Sequence, residues 1–209
     1  MKKSKQVGEY LDLLFPNPRC ELNYQKDYEL LLSIVLSAQT TDKRVNMVTP
    51  ILFQKYSSLI ELKNASISDL ESIIKPIGSF RKKSIYIKEI SKIIDEEYHG
   101  VVPRDREQLI KLPGVGRKTA NVFLSEYYHD PMFGVDTHVE RIAKRLQISE
   151  DNSNVLDVEN DLMRFFPKEE WARRHLQLVL FGRYYCKAMK PSCDSCELKN
   201  ICKKNISFH

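Results

Sequence analysis

Leu112-Pro113-Gly114-Val115-Gly116-Arg117-Lys118 is the stretch on which the reading of this sequence turns. Two glycines separated by one residue let the backbone turn tightly and approach another molecule, since neither carries a Cβ. Pro113 sets the way into the turn. Arg104 to Lys111 reads as a short helix opened by Pro103, and Thr119 to Tyr128 has helical composition, so the turn joins two helices. The N-terminus of the second helix offers unpaired N–H groups and a partial positive charge, which suit a phosphate. Such a helix-hairpin-helix grips one nucleic-acid strand through backbone N–H groups without reading its sequence. Gly114, Val115, Gly116 and Arg117 are therefore DNA-binding candidates. A tight αα-hairpin whose glycines serve packing alone is the plainer alternative. Lys118, at the mouth, is either a salt contact to the strand or a nucleophilic amine.

Outward from the hairpin, periodicity is helical nearly everywhere. Tyr28, Leu31, Leu32 and Val35 mark one face, while Leu30, Ile34 and Leu36 fill the others, which predicts a buried central helix. Val45, Val48, Leu52 and Tyr56 form a narrower stripe, with Pro50 as a kink or a boundary. Ser66 or Ser68 caps the next short helix, and Ser68 with Glu71 has capping-box spacing. Ile87, Ile90, Ile94 and Tyr98 predict an amphipathic helix stopped by Gly100. Helices follow over His138 to Leu146 and Val155 to Phe166, and a last long one carries Trp171, His175, Leu178, Val179 and Gly182. No sustained period-2 alternation occurs, so the expected fold class is all-α, with about ten helices. Tyr128 to Gly134 is the best candidate for a domain boundary.

The 209 residues suffice for one large domain or two small ones, and 42% apolar content predicts a globular chain. A net charge of +5 permits an anionic partner without demanding one. Met1-Lys2-Lys3 is not followed by an apolar signal segment, and Leu30 to Leu36 is too short to span a bilayer. The expectation is a cytoplasmic protein with no membrane partner. Four of the five cysteines crowd the C-terminal end, which in a reducing compartment favours metal binding over disulfides. Cys186, Cys193, Cys196 and Cys202 are separated by six, two and five residues. Four thiolates so spaced make a closed site for tetrahedral zinc or for a [4Fe–4S] cluster, and ligand chemistry alone leaves both open. Lys187, Lys190, Lys199, Lys203 and Lys204 surround them against Asp194 and Glu197, a basic knob suited to phosphate. Lys187 and Lys190 are its DNA-binding candidates. Cys20 stands apart and reads as an inert, buried thiol.

Asp136 lies in Gly134-Val135-Asp136-Thr137-His138, just ahead of a predicted helix. Aspartate is well suited to cap that helix. One helix and one loop beyond Lys118, it could also return to the same cleft. There a carboxylate would stabilise positive charge developing on a sugar, or handle protons for the amine.

Together these residues resemble the endonuclease III family of bifunctional DNA glycosylases, in the helix-hairpin-helix/Gly-Pro-Asp superfamily. The matching segments are Leu36-Ser37-Ala38-Gln39-Thr40-Thr41-Asp42, Leu112 to Ala120, Val135-Asp136-Thr137-His138, Gly182-Arg183-Tyr184 and the cysteine loop, and they cover nearly the whole chain. The resemblance implies two helical domains. Residues 21–132 would form a six-helix barrel carrying the hairpin. Residues 1–20 would fold with 133–209 as the cluster domain, and the active site would lie in the cleft between. It implies a [4Fe–4S] cluster, and not zinc, on the four cysteines, and a monomer whose partner is damaged double-stranded DNA. It further implies Lys118 as the nucleophile that attacks C1′ of a flipped-out nucleotide, and Asp136 as its essential partner. A free lysine has a pKa near ~10.4, so the amine would have to be deprotonated by desolvation in the closed site and by nearby positive charge. The implied activity is removal of oxidised pyrimidines followed by strand cleavage through β-elimination. Gln39 matches the glutamine that fills the hole left by the flipped base. The chain departs from the family at Ser79, where an apolar wedge is usual, and this leaves Phe80 as the candidate wedge.

The alternatives differ at particular positions. An adenine-specific mismatch glycosylase of the same superfamily needs a catalytic glutamate where Ile34 stands. A thymine/guanine mismatch glycosylase would differ only in pocket details. A non-catalytic DNA-binding iron–sulfur protein needs neither Lys118 nor Asp136. A zinc-stabilised helical interaction protein would lack a visible chromophore.

Overall fold

The computed structural model describes residues 2–203; Lys204, counted above in the basic knob, lies outside them. The chain divides into two units, Cys20–Tyr128 on the one hand and Met1–Arg19 with His129–His209 on the other. Among the described residues, eleven α-helices and two single 3₁₀ turns make up the regular structure, with no strand.

In Cys20–Tyr128 the central element is α2 (Asp27–Leu36), in which every residue from Tyr28 to Leu36 is buried. Helices α3 (Asp42–Lys55), α6 (Phe80–Glu97) and α8 (Arg117–Tyr128) pack against it. Helices α4 (Leu59–Asn64) and α5 (Ile67–Ile74) close against α6. Leu30, Leu31, Leu32 and Leu36 are wholly removed from solvent, each worth about 1.5–3 kcal/mol. Hydroxyl caps start the short helices: Thr41, Ser58 and Ser66 accept the N–H groups of Arg44, Glu61 and Asp69. Ser66 is therefore the cap of α5, and Ser68 lies inside the helix, so its spacing to Glu71 does no capping. Pro50 sits within α3, which runs on to Lys55. Helix α6 ends at Glu97, and the N–H of Gly100, at φ 82°, returns 2.9 Å to the Ile94 carbonyl. Helix α7 (Arg106–Leu109) is a single turn, shorter than the Arg104 to Lys111 expected, because Asp105 caps it by accepting from the Gln108 N–H.

The other unit brings together α1 (Lys3–Leu14), α9 (Thr137–Arg145), α10 (Val155–Phe165) and α11 (Trp171–Tyr184). Their shared core includes Val7, Leu11, Phe133, Val139, Ile142, Leu162 and Leu178. Gly182 allows α11 to close on α9, since a Cβ there would lie 2.7 Å from that of His138. Helix α1 is tied to α11 by the buried Arg174, which donates to both carboxylate oxygens of Asp12 at 2.6 and 3.1 Å and to Glu170 at 2.7 Å. Burial works against the Asp12 charge, but hydrogen bonds from Arg174 and Gln177 outweigh it and hold the carboxyl below its usual range.

Candidate functional site

The hairpin between α7 and α8 is closed from within. Leu109, Leu112 and Val115 are buried beneath it, and the Val115 N–H donates to the Leu112 carbonyl at 3.1 Å. Val115, a DNA-binding candidate by sequence, thus anchors the turn with both its side chain and its N–H. The two glycines have different reasons to be there. Gly114 has φ +78°, and a Cβ on it would lie 2.5 Å from the Tyr86 ring. Backbone and packing both require glycine. Gly116 is exposed, and a Cβ on it would meet nothing within 4 Å. Nothing in its own unit asks for glycine at 116. The Gly116 carbonyl accepts the first helical bond of α8, from the Ala120 N–H at 3.0 Å. The first N–H groups of α8 therefore have no partner within the helix, and the exposed side chains of Arg117 and Lys118 flank them.

Two further turns of the same unit carry sequence candidates. In Ser37–Thr40 the Thr40 N–H bonds the Ser37 carbonyl at 3.0 Å, with Gln39 exposed and left-handed at φ 55°. Before α6, Ser79 is also exposed and left-handed, at φ 57°. The turns are neighbours, because a Cβ on Gly78 would lie 3.8 Å from both the Gln39 carbonyl oxygen and Thr40 Oγ1. Phe80 begins α6, half-buried, with the Arg81 guanidinium 4.9 Å from its ring centre. Ile34 is 6% exposed inside α2.

In the other unit Asp136 caps α9, its Oδ1 accepting from the His138 and Val139 N–H groups at 2.9 and 2.8 Å. Its Oδ2 has no hydrogen bond among the described residues, and the side chain is half-buried. Cys186, Cys193, Cys196 and Cys202 line one cavity with Arg145, Phe181, Tyr185 and Pro191. Among the described residues no three His, Cys, Asp or Glu side chains converge on a single metal-ion position; the four thiols are spread around the cavity wall. Burial pushes the Cys196 thiol up, and the neighbouring Cys186 and Cys202 push the same way. Two arginines of α9 hold the loop. Arg141 donates to the carbonyls of Cys186 at 3.1 Å and Gly182 at 2.8 Å. Arg145 reaches the Lys187 carbonyl at 2.8 Å, the Ala188 carbonyl at 3.2 Å and the Cys186 sulfur at 3.2 Å. Sequence reasoning passed over both, although their spacing of four residues on one helix is a readable signal. Lys187 and Lys190 are exposed, Lys190 with φ 50°. Cys20, expected to be buried, is half-buried.

Residues 32–168 match the family model described as "HhH-GPD superfamily base excision DNA repair protein". Endonuclease III of Bacillus subtilis (strain 168) is 47% identical over 207 residues, spanning 98% of this chain and 94% of that protein. Endonuclease III of Escherichia coli (strain K12) is 39% identical over 188 residues, spanning 90% of this chain and 89% of that one. Among solved structures, a trapped endonuclease III–DNA covalent intermediate with an estranged adenine superposes with a TM-score of 0.93 at 43% identity, covering 98% of this chain and 97% of that one. A thermostable thymine-DNA glycosylase shares the fold, with a TM-score of 0.89 at 23% identity.

Proposed function

The chain belongs to the HhH-GPD superfamily of base excision DNA repair proteins and, within it, to the endonuclease III family, and from that premise we propose how its own residues work. It is a DNA glycosylase with abasic-site lyase activity, acting on damaged duplex DNA. We assign it oxidised pyrimidines as substrates and Lys118 as the nucleophile. The observation that carries this is the pairing of Gly116 with Lys118. A glycine that nothing in its unit requires leaves room for a strand to approach, and the exposed amine stands two residues further on, at the open end of α8.

With a damaged nucleotide flipped from the stack, the Lys118 amine attacks C1′. The N-glycosidic bond breaks and the base leaves with its bonding electrons, taking up a proton. The Schiff base formed after ring opening acidifies the C2′ proton. Loss of that proton breaks the C3′–O bond and cuts the strand on the 3′ side of the lesion. Bound DNA would shield from water the Lys118 amine, which is exposed in the free chain. Asp136 keeps Oδ1 on the α9 cap, so Oδ2 is the oxygen left to balance the cationic sugar. Arg117 and the first N–H groups of α8 take the backbone phosphates, with Lys187 and Lys190 as further phosphate contacts. Gln39 enters the space the base vacates, and Phe80, at the start of α6, is the candidate wedge.

Four thiols spread around one cavity suit a cluster of several metal atoms, and the N–H donated by Arg145 to Cys186 Sγ suits a thiolate. A [4Fe–4S] cluster on Cys186, Cys193, Cys196 and Cys202 would supply positive charge beside the Cys196 thiol, which burial and its neighbours push up, and would tie the loop together. Purified protein should show a broad visible absorption that Cys193→Ser loses. Ile34, buried in α2, leaves no acid for adenine-specific chemistry. The deciding experiment is borohydride trapping on a duplex with one abasic site. The parent protein should give a covalent complex and Lys118→Gln none. A trapped complex of equal yield with Lys118→Gln would remove the assignment.

A further inference from the structure

A lysine that the catalytic reading does not use lies beneath the Gln39 turn. Lys83, in the first turns of α6, is 5% exposed. Its ammonium donates to the Leu36 carbonyl at 2.9 Å, the Ala38 carbonyl at 2.6 Å and Thr40 Oγ1 at 3.4 Å. A lysine has three N–H donors, so all three are used. Burial pulls its pKa below the ordinary lysine range, and the converging acceptors are what make a charged group tolerable there.

The acceptors are not scattered. Leu36 is the last residue of α2, where helix carbonyls lack partners and a positive charge is favoured. Ala38 and Thr40 are the two neighbours of Gln39. A glutamine at φ 55° is held in a left-handed conformation that L side chains disfavour, and it persists only where the surroundings fix it. Lys83 fixes the residue on each side. Its own N–H bonds the Ser79 carbonyl at 3.1 Å, so the same residue also belongs to the turn that carries Ser79 and Phe80.

We propose that Lys83 is a positioning residue for Gln39: it locks the Ser37–Thr40 turn and joins it to the Ser79 turn, so that Gln39 is held ready to enter the space of a flipped base. This rests on the reading of Gln39 given above. The chemistry fits a group needed before the covalent step, because a flipped nucleotide must be kept from re-pairing with its opposite base. Ser79 is too small to wedge a base step, which leaves the held glutamine with more of that task.

The test uses the whole protein and duplexes carrying a single thymine glycol, either opposite adenine or opposite an abasic analogue. Where no opposite base competes, keeping the lesion extrahelical needs little help. Opposite adenine, Gln39→Ala and Lys83→Met should each lower excision kcat/KM about ten-fold, and the double variant should fall no more than about two-fold further. Opposite the abasic analogue both singles should come within about two-fold of the parent. Lys83→Arg keeps the charge but replaces converging donors by a planar fork. It should recover most of the loss opposite adenine; if Lys83→Met does not fold, Lys83→Gln, which keeps a donor without the charge, takes its place with the same expected loss of about ten-fold. Equal losses on both duplexes, or losses that multiply in the double variant, would reduce Lys83 to a cap on α2 and overturn the proposal. If Gln39→Ala itself ignores the opposite nucleotide, the reading of Gln39 fails first and takes the proposal with it.

Discussion

The hairpin and the cysteine loop are both surface turns that follow a helix, and they are built in opposite ways. The hairpin over 112–116 is held by its own backbone and by apolar side chains beneath it, with Val115 bonded to Leu112 and Gly114 against the Tyr86 ring. In the cysteine loop over 186–202, Leu198 is the one buried residue. Its shape comes from α9, whose Arg141 and Arg145 hold the carbonyls of 186, 187 and 188. A turn folded by burial resists changes of volume. A turn held by donors from another element resists only while those donors remain.

Three changes sharpen or break that contrast. Gly114→Ala should have the largest effect, about 3 kcal/mol of lost stability in denaturant titration, from left-handed strain and overpacking against Tyr86. A loss under ~0.5 kcal/mol would mean that the hairpin is not set by packing. Arg145→Leu should cost about 2 kcal/mol, confined to the cysteine loop, because it leaves carbonyl acceptors unpaired. Hydrogen exchange should speed up at 186–202 and stay unchanged in the hairpin. Gly116→Ala should leave the melting temperature unaltered while weakening duplex binding about ten-fold, near 1.4 kcal/mol, since its Cβ points into open space. Unchanged binding would return Gly116 to the role of a plain turn residue.

The smallest effect is expected with acid. Asp12 has a folded pKa below its unfolded value near ~3.9. Its contribution is therefore complete above that value and is lost as pH falls through the folded pKa. Below about pH 4, amide exchange in α1 should accelerate, and Asp12→Asn should remove that dependence.

The central helix, the hairpin and the cysteine set were legible because each is written in consecutive or regularly spaced residues. The contacts that hold them were not. Lys83 follows Arg81 and Lys82 in what looks like a solvated basic run, and only the approach of α6 to the end of α2 reveals its acceptors. On paper Ser68 has the added capping-box spacing to Glu71, and the helix start decides for Ser66. Asp136 shows how a cap can leave a second reading open, since capping engages one carboxylate oxygen and leaves the other. The division of work between Gly114 and Gly116 could not be read either, because it depends on Tyr86, far away in sequence.

Tyr86 and Lys83 are three residues apart on α6, so one meets the hairpin glycine and the other the Gln39 turn within about 4.5 Å of helix rise. A straight helix hardly stretches over one turn. That short piece of α6 acts as a caliper: it keeps the hairpin turn and the Gln39 turn at a set offset from each other.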